Sequence, residues 1–474
     1  MKLRRSGPMT FEHSMLRTAT LCLIAFGAVM VYSASSGTTL LTAGGDSSYY
    51  LKRYLTSAII GMGLLTFLSR SGLDAVRRLT PVILGAALFG LLLVLLPGFG
   101  VSANGAQRWV GAGAFQVQPS ELAKIALVLY SATLIAAKPE RTRSLEGVRP
   151  LLLVGGVMAA LVVVEPDLGT AIVIALTLGA MLVVGGVKIR QLVALAGALA
   201  LLALLFALVE PYRRDRLVSF FNPWGDTRGS GFQSVQAMIA IGSGGPFGVG
   251  LGGSVQKLFY LPEAHTDMIL AVIGEELGFV GIFGVLFLYG MIAYAGLRAA
   301  RMARDLYSKL LAAGITSVIL SQATINFFAV LGVLPLTGVP LPFISYGNSN
   351  LVVLLGAMGL LINVAQQGAP SAARDTGRRG RRRKSHLRLV SVGESLRASA
   401  KRYAGSRAIA RRSATNRAAK RRAPARSTRR ASAARVAKPH AVIRKLGNDK
   451  DRDRSRRDRR PRSAGAGSRR RAAG

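Results

Sequence analysis

Apolar residues dominate ten long stretches of the chain, which are separated by shorter polar segments. A helix crosses a hydrocarbon core of roughly 30 Å with about 20 residues, and most of the stretches have about that length. They lie near residues 15–34, 53–70, 79–97, 118–137, 151–165, 168–187, 191–210, 267–296, 309–330 and 347–367. This pattern predicts an all-α polytopic membrane protein with about ten transmembrane helices.

The polar segments divide the chain into three parts. We expect a cytoplasmic N-terminus at 1–14, a ten-helix transmembrane domain at 15–367 and a disordered cytoplasmic tail at 368–474. Residues 211–266 are expected to form a large outer loop between helices 7 and 8. The first stretch also resembles a signal peptide, but nine further stretches favour a retained anchor.

Lys and Arg residues predict the orientation, because cytoplasmic loops retain an excess of them. With the N-terminus inside, the cytoplasmic segments up to residue 370 hold 17 Lys and Arg residues, and the outer segments hold eight. An even number of helices then returns the C-terminus to the cytoplasm. The distribution predicts a multi-pass protein of the cytoplasmic membrane.

The net charge is concentrated in the tail. The chain has 62 Lys and Arg residues against 22 Asp and Glu residues, a formal net charge of +40, and residues 371–474 carry +30 of it. Few large apolar residues accompany this charge, a composition typical of disorder. We expect the tail to bind anionic lipid or an acidic partner. Nucleic acid is not an expected partner, because interleaved aromatic residues and a folded module are missing.

Charged residues in or beside the apolar stretches are the first candidates for function, because a charge at the bilayer centre costs on the order of 3 kcal/mol. Glu121 and Lys124 are three residues apart, so they share a helix face and can pair. This pair either closes the helix start or acts on a substrate. Asp167 follows Pro166 at the start of the sixth helix, where an acid caps the backbone.

Asp267 stands where the large loop re-enters the membrane. An acid at such a position normally caps the helix, and catalysis is the alternative. Glu275 and Glu276 follow about two turns deeper and point roughly 100° apart, so at least one faces the bundle interior. His265 has no partners at zinc-binding spacing, which favours a polar contact at the membrane interface.

The large loop contains ten glycines between residues 225 and 253. Gly248, Gly250 and Gly253 match the G-x-G-x-x-G pattern, but no strand precedes them, and the loop is expected outside the cell. These features exclude a dinucleotide site and favour tight turns and close backbone approach. Residues 232–241 are expected to form a short helix at the interface. The only cysteine, Cys22, excludes a disulfide framework.

Two functions fit these features. Buried acids in a ten-helix bundle are typical of a transporter. An enzyme at the outer face has no cytosolic ATP, so its substrate must arrive activated, as a lipid-linked pyrophosphate does. Outer cations such as Arg108, Arg216 and Lys257 attract a pyrophosphate, and one carboxylate suffices to deprotonate an attacking hydroxyl.

Six stretches carry the most specific motifs of the chain. The longest spans residues 250–278 and includes Leu261-Pro262-Glu263-Ala264-His265-Thr266-Asp267. The others are residues 104–109, 118–124, 165–170, 334–338 and 341–347. Together they resemble, in family order, the SEDS family of shape, elongation, division and sporulation proteins, which includes FtsW, RodA and SpoVE. The family's fold has ten transmembrane helices and a large outer loop after the seventh.

The resemblance implies a peptidoglycan glycosyltransferase that polymerises lipid II at the outer face of the membrane. Asp267 matches the family's essential aspartate, which implies that it deprotonates the acceptor 4-hydroxyl before undecaprenyl pyrophosphate leaves. Forming a β-1,4 link from an α-linked donor is inverting chemistry, so one base suffices. The expected residues of the substrate cavity are Glu121, Lys124, Asp167, Arg108, Arg216, Lys257, His265, Ser345 and Tyr346.

The resemblance also implies partners. A class B penicillin-binding protein (FtsI-like) and other divisome proteins are expected, and the tail's acidic partner is expected to be cytoskeletal, such as FtsZ. A divalent cation, Mg²⁺ or Mn²⁺, is compatible with the pyrophosphate, but no residue cluster demands one. The alternatives are a lipid II flippase or other transporter, and a non-catalytic scaffold for the penicillin-binding protein.

The motifs point to two branches of the family. Residues 256–260 and Glu165 look like the division member, FtsW, whereas residues 332–340 look like the elongation member, RodA. Four residues depart from the family pattern. The family commonly has Ser-Tyr-Gly-Gly-Ser-Ser where residues 345–350 stand, so Asn348 replaces a glycine and Asn350 replaces a serine. Gln107 replaces a second arginine, and Met268 replaces a phenylalanine.

Overall fold

The computed structural model describes residues 11–42, 45–103, 106–112, 115–209, 218–227, 229 and 231–367. All of them belong to one compact unit, Met1–Gly380. Most of the expected N-terminal segment, Arg216 in the large loop, and the basic tail at 368–474 lie outside the described residues.

Eleven α-helices of more than ten residues make up most of the described chain. They are α1 (Phe11–Thr42), α2 (Tyr49–Arg70), α3 (Leu73–Leu95), α4 (Pro119–Ala137), α5 (Arg149–Val164), α6 (Leu168–Val184), α7 (Ile189–Val209), α8 (Phe232–Gly244), α9 (Ile269–Met302), α10 (Leu306–Val330) and α11 (Asn348–Gln367).

Seven of these helices, α1 to α4 and α9 to α11, are long and apolar enough to cross a membrane. Helices α5, α6 and the first part of α7 are shorter apolar helices. Each of the ten apolar stretches falls on one of these ten helices, so the prediction of a polytopic helical membrane protein is confirmed. The number of crossings and the orientation stay predictions.

Local sequence signals explain where several helices begin. Pro119 occupies the first turn of α4, where its missing N–H has no helical partner to lose. Asp167 precedes α6, and its Oδ1 accepts the N–H of Thr170 at 3.1 Å, so the expected cap is confirmed. Asp305 caps α10 in the same way, accepting the N–H of Ser308 at 3.0 Å.

A small antiparallel sheet connects α3 to α4. Its strands are β1 (Gly100–Ala103), β2 (Ala106–Ala112) and β3 (Phe115–Val117), in the order β1-β2-β3. The fold is mostly helical as expected, and this sheet is a feature that the apolar stretches did not predict. Strands this short leave little periodic pattern in the sequence, and the sheet matters because β2 carries Arg108.

Helix α9 is broken at Gly278, whose φ of 64° and ψ of −160° are not helical. A helix break leaves backbone N–H and C=O groups without partners, which is costly away from water. Residues 245–250 of the large loop supply the missing partners. The carbonyls of Glu275 and Glu276 accept the N–H groups of Val249 and Gly250 at 2.9 and 3.0 Å, and Gly245 and Pro246 accept those of Phe279 and Val280 at 3.0 and 3.2 Å.

Two glycines of the large loop allow this close approach. A Cβ on Gly248, whose φ is +80°, would lie 2.1 Å from the carbonyl oxygen of Glu276, and one on Gly244 would lie 2.0 Å from that of Gly274. No side chain fits at either distance. The expectation of close backbone approach is confirmed here, and the predicted short helix is observed as α8.

The segment 331–347 between α10 and α11 folds back into the bundle. Leu341, Phe343 and Ile344 are almost completely buried. The hydroxyl of Tyr54 on α2 donates to the carbonyl of Phe343 at 2.5 Å, and that of Tyr289 on α9 donates to the carbonyl of Pro342. Helices α2 and α9 therefore fix this segment, which we call the last loop, beside the residues that precede α9.

Candidate functional site

Asp267 lies half-buried, two residues before the first residue of α9. The capping position of α9 belongs to Met268, so the expectation that Asp267 caps this helix is wrong. Thr266 donates its hydroxyl hydrogen to Glu263 Oε2 at 2.8 Å and lies 3.3 Å from Asp267 Oδ1. The carboxylate of Asp267 is therefore held in a short polar segment rather than inside the helix.

The backbone of Asp267 is tied to the last loop. The side-chain amide of Asn326 on α10 donates to the carbonyl of Asp267 at 2.7 Å and to the carbonyl of Val339 at 2.9 Å. Asn326 is buried. One side chain thus connects three parts of the structure: α10, the residue before α9's cap, and the last loop.

Arg108 on β2 reaches the turn between α5 and α6. Its Nε donates to the carbonyl of Glu165 at 3.4 Å, and its Nη2 donates to the carbonyl of Pro166. A Cβ added to Gly338 would lie 3.9 Å from Asp267 Oδ2 and 4.0 Å from Arg108 Nη1. The carboxylate and the guanidinium therefore both lie close to Gly338, with Oδ2 and Nη1 at most about 7.9 Å apart.

The turn between α5 and α6 adds two more carboxyl groups. Gln118 donates its side-chain amide to Asp167 Oδ2 at 3.2 Å, so both oxygens of the buried Asp167 carboxylate accept hydrogen bonds. Glu165 is also buried, but neither of its carboxyl oxygens has a hydrogen-bond partner among the described residues. Burial raises the pKa of Glu165 to about 8, the charge of Asp167 acts in the same direction, and Arg108 opposes it.

Glu121 and Lys124 form the expected ion pair on α4. The Nζ of Lys124 lies 2.9 Å from the Glu121 carboxylate, and both side chains are almost completely buried. Their pairing on one helix face is confirmed.

Lys257 lies in a second buried ion pair, which connects the large loop to α9 and α1. Its Nζ donates to Glu276 Oε1 at 2.7 Å, to the carbonyl of Gly252 at 2.9 Å and to Ser33 Oγ at 3.2 Å. Three acceptors satisfy the three N–H donors of an ammonium group. This placement differs from the expected contact with a pyrophosphate, because the charge and the donors of Lys257 are already engaged by protein.

Glu275 and Glu276 point to different partners, as their spacing predicts. Glu275 accepts the hydroxyl of Ser254 at 2.5 Å and the N–H of Val255 at 3.0 Å. Glu276 accepts Lys257 and the hydroxyl of Ser33. Both carboxylates are buried, so both hold the large loop against the first segment of α9.

His265 packs in an aromatic cluster with Tyr50 and Tyr346. Its ring centroid lies 4.1 Å from that of Tyr50 and 5.6 Å from that of Tyr346. Burial lowers the pKa of His265, and the nearby charge of Glu263 opposes this shift, so the ring is neutral at neutral pH. The expected polar contact is therefore mainly an aromatic contact between α2, the segment before Asp267 and the last loop.

Hydroxyl and amide groups hold the junction between the last loop and α11. Ser345 is buried, and its Oγ accepts the N–H of Leu341 at 2.8 Å. Asn348, one of the departures from the family motif, accepts the hydroxyl of Ser57 at 3.1 Å and lies within 3.4 Å of the Tyr346 hydroxyl. Ser345 and Asn348 thus stabilise the loop, while Tyr346 contributes its half-buried ring to the aromatic cluster.

The structure brings some predicted residues together and separates others. Arg108 lies near Asp267 and bonds to the α5–α6 turn that ends at Asp167, whereas Lys257 belongs to a different contact network. Sequence reasoning missed three residues that contact this site: Asn326, Tyr50 and Gly338. Only Asn326 had a usable signal, a buried-type amide inside an otherwise apolar stretch.

Two further points concern the described residues: metal ligation and a cavity. No group of three or more His, Cys, Asp and Glu side chains that could hold a metal ion comes together there, so Mg²⁺ or Mn²⁺ stays a prediction about the substrate's pyrophosphate. A cavity of about 420 Å³ lies between α1 and α9 and is largely apolar. It is lined by Phe11, Ser14, Met15, Thr18, Phe287, Gly290 and Met291, and contains none of the residues above.

The chain is similar to known proteins over most of its described length. Residues 13–369 match the FtsW, RodA and SpoVE family, described as cell cycle proteins. The probable peptidoglycan glycosyltransferase FtsW of Thioalkalivibrio sulfidiphilus is 41% identical over 374 residues, 77% of this chain and 93% of that protein. Stage V sporulation protein E of Bacillus subtilis is 41% identical over 355 residues, 73% of this chain and 95% of that protein.

Two solved structures have the same fold. A peptidoglycan synthase complex, described as coordinating polymerization and crosslinking, contains a chain that matches with a TM-score of 0.63 and 28% identity. The rod shape determining protein RodA of Thermus thermophilus matches with a TM-score of 0.56 and 28% identity. Each match covers 75% of this chain and 97% of the other.

Proposed function

The chain belongs to the FtsW, RodA and SpoVE family, and on that premise we propose that it is a peptidoglycan glycosyltransferase that polymerises lipid II. Family membership and the apolar helices make it an integral protein of the inner membrane. The probable FtsW relatives support the reaction, because the chain covers nearly their whole length.

The observation that carries the proposal is the proximity of Asp267 and Arg108, whose Oδ2 and Nη1 both lie within about 4.0 Å of a Cβ built on Gly338. Asp267 is the general base: it takes the proton of the acceptor GlcNAc 4-hydroxyl as that oxygen attacks the donor's anomeric carbon. The new bond joins O4 to C1. The bond from C1 to the phosphate oxygen breaks, and its electron pair leaves with undecaprenyl pyrophosphate.

Arg108 acts on the leaving group in this proposal. A guanidinium binds phosphate oxygens through fixed, directional N–H groups and stabilises the charge that develops as the bond breaks. Arg108 Nη1 lies at most about 7.9 Å from Asp267 Oδ2, so both groups are close enough to act on one donor–acceptor pair. The proposed reaction inverts its anomeric centre, so one base suffices.

The other predicted residues receive separate roles. We assign Glu121, Lys124 and Asp167 to the polar wall of the substrate cavity, and His265 and Tyr346 to its aromatic wall. Lys257 and Ser345 hold the large loop and the last loop, because their polar atoms are bonded to protein. Arg216 keeps its proposed attraction for the pyrophosphate as an outer cation.

The cellular setting completes the proposal. Several of the similar relatives carry the FtsW name, which supports a role at the division septum with divisome proteins. The similarity to a chain of a peptidoglycan synthase complex supports a class B penicillin-binding protein as partner. The basic tail binds anionic lipid or an acidic cytoskeletal segment, with electrostatic attraction as the driving force.

Replacing the base tests the function most directly. In detergent, with labelled lipid II and with or without the class B penicillin-binding protein, Asp267→Asn should lower the polymerisation rate by about 10²- to 10⁴-fold, because general base catalysis is lost. Asp46→Asn is the matched control, since Asp46 lies at the start of α2 in an exposed pair with Lys52. Its rate should stay within about twofold of the wild type.

Two outcomes would overturn the proposal. Polymerisation by Asp267→Asn at the wild-type rate would remove Asp267 as the base. A wild-type protein that moves lipid II across sealed vesicles, and makes no glycan even with its partner, would be a transporter instead.

A further inference from the structure

Asn326 is the side chain that holds the backbone of Asp267 in place, and nothing in the family motifs quoted above includes it. Its amide Nδ2 donates to two carbonyl oxygens, those of Asp267 at 2.7 Å and Val339 at 2.9 Å. The two carbonyls belong to different segments, one before α9 and one in the last loop. An amide group with two N–H donors is the smallest side chain that can bridge two carbonyls in this way.

The carbonyl of Asp267 is available to Asn326 because the helix does not use it. In a helix that included Asp267, the N–H of Ala271 would donate to that carbonyl four residues earlier. Here the N–H of Ala271 donates to the carbonyl of Met268 at 2.9 Å. The carbonyl group of Asp267 therefore accepts a hydrogen bond from another helix, α10, instead of from α9.

The second carbonyl connects Asn326 to the opposite side of the site. Val339 follows Gly338, and a Cβ on Gly338 would lie within 4.0 Å of both Asp267 Oδ2 and Arg108 Nη1. By bonding to both carbonyls, Asn326 fixes the backbone of Asp267 relative to Gly338. The distance between the base and the guanidinium depends on that relation.

A second asparagine makes the same kind of contact at the C-terminal end of α2, far from Asp267. Asn363 on α11 donates its Nδ2 to the carbonyls of Leu68 at 2.8 Å and Ser71 at 2.5 Å, and it is buried like Asn326. Tyr50, beside His265, and Leu68 are separated by 18 residues of α2, which corresponds to about 27 Å. Asn363 is therefore a natural control for the loss of two buried amide–carbonyl bonds.

The two asparagines differ in their acceptor oxygens. Oδ1 of Asn363 accepts the side-chain amide of Gln367 at 2.6 Å. Oδ1 of Asn326 is buried and has no hydrogen-bond partner among the described residues. A buried acceptor without a partner destabilises the fold, so Asn326 is not the residue that stability alone favours at this position.

We propose that Asn326 is a positioning residue for the glycosyl transfer, which sets the place of Asp267 relative to Gly338 and Arg108. The inference rests on the proposed function and adds a residue that acts through the base without touching the substrate. Displacement of a catalytic group by about 1 Å lowers rates by up to about 100-fold, so loss of the bridge affects kcat more than substrate binding.

The test compares Asn326→Leu with Asn363→Leu in the full-length protein. Both changes remove two amide–carbonyl bonds from a buried site, and Asn363→Leu also removes the bond from Gln367, so it should lower the unfolding temperature at least as much as Asn326→Leu. We expect Asn326→Leu to lower kcat for lipid II polymerisation about 10- to 100-fold with KM within about threefold of wild type. Asn363→Leu should leave kcat within about twofold.

Asn326→Asp provides a graded second variant. Burial and the two carbonyl oxygens favour the protonated carboxyl, which keeps one O–H donor and so one of the two bonds. Its kcat should lie between those of wild type and Asn326→Leu. The ratio of its kcat to wild type at the same pH should fall as pH rises, because ionisation removes the last donor, while Arg108, Glu165, Asp167, Glu263 and His265 are the same in both proteins.

The results separate three cases. Equal kcat in the two leucine variants, or a ratio for Asn326→Asp that is constant with pH, would overturn the positioning role. A normal rate for Asp267→Asn would instead overturn the proposed base, whatever the Asn326 variants do. Inactive Asp267→Asn together with fully active Asn326→Leu would overturn this inference alone.

Discussion

The two buried ion pairs of the protein differ in what they connect. Glu121 and Lys124 lie one turn apart on α4, so their bond holds together only residues that the helix already holds. Lys257 and Glu276 lie 19 residues apart, and through Ser33 they connect the large loop, α9 and α1. One pair is local and the other is tertiary, although both are nearly inaccessible to solvent.

The pairs also differ in how completely the lysine is satisfied. Lys257 donates to three acceptors, the full capacity of its ammonium group. Among the described residues, Lys124 donates only to the carboxylate of Glu121. A buried ion pair seldom stabilises a fold once desolvation is included. The saturated pair therefore has a structural explanation, and the unsaturated pair needs a functional one.

The largest effect is expected where the tertiary pair is cut. Lys257→Met leaves Glu276 buried without its cation, which should lower the free energy of unfolding by about 3–5 kcal/mol. Thermal unfolding in detergent, followed by the fluorescence of the two tryptophans, measures the loss. The matched double variant Lys257→Met with Glu276→Gln should recover part of it. An unfolding temperature equal to wild type in Lys257→Met would show that the network does not hold the loop.

The local pair should give the opposite result. Replacing both partners, Glu121→Leu with Lys124→Met, removes two buried charges whose ion pair is local to α4, so stability should be unchanged or higher. Polymerisation should fall about 10- to 100-fold if Lys124 directs its spare donors at substrate, in keeping with hydrogen bonds to charged groups worth about 1.5–3 kcal/mol. The rate assay with labelled lipid II measures this. A stable variant with a normal rate would make the pair a structural element, and the contrast with Lys257 would disappear.

The sequence was sufficient for the local pair and insufficient for the tertiary one. A spacing of three predicts a shared helix face, and Glu121 and Lys124 obey it, as Asp167 obeys the rule for helix caps. Nothing in the spacing of Lys257, Ser33 and Glu276 indicates that they meet. The loop that carries Lys257 packs against the broken helix α9, and that contact exists only in three dimensions.

The same limit explains the other misses. The apolar stretch at 267–296 is continuous in hydropathy, so it gave no sign of the break at Gly278, which depends on carbonyl and N–H partners from residues 245–250. The strands at 100–117 are short and glycine-rich. Asp267 was recognised by its motif. The capping rule placed it directly before the helix, but α9 begins two residues later and Met268 takes the capping position.

Glu165 is a third buried charged residue to compare. The Lys257 side chain has three hydrogen-bonding partners, the Lys124 side chain has one, and the Glu165 carboxyl group has none among the described residues. Both of its carboxyl oxygens are buried without a hydrogen-bond partner among the described residues, and burial raises its pKa to about 8. An acid whose folded pKa lies above its unfolded value holds an extra proton between the two. Its contribution to stability is therefore complete below about pH 4.5 and is lost as pH rises through about 8.

Glu165→Gln should show the smallest effect, with a distinct dependence on pH. The amide cannot ionise, so the variant should be more stable than wild type at pH 9, where the buried carboxyl is ionised, and should differ little from it at pH 5. Unfolding temperatures at the two pH values measure the difference. The control is Glu140→Gln, because Glu140 is exposed in the connection between α4 and α5. Equal shifts at both pH values would mean that Glu165 is ionised throughout and has a partner. The decrease in hydrogen-bonding partners from Lys257 to Lys124 would then not continue to Glu165.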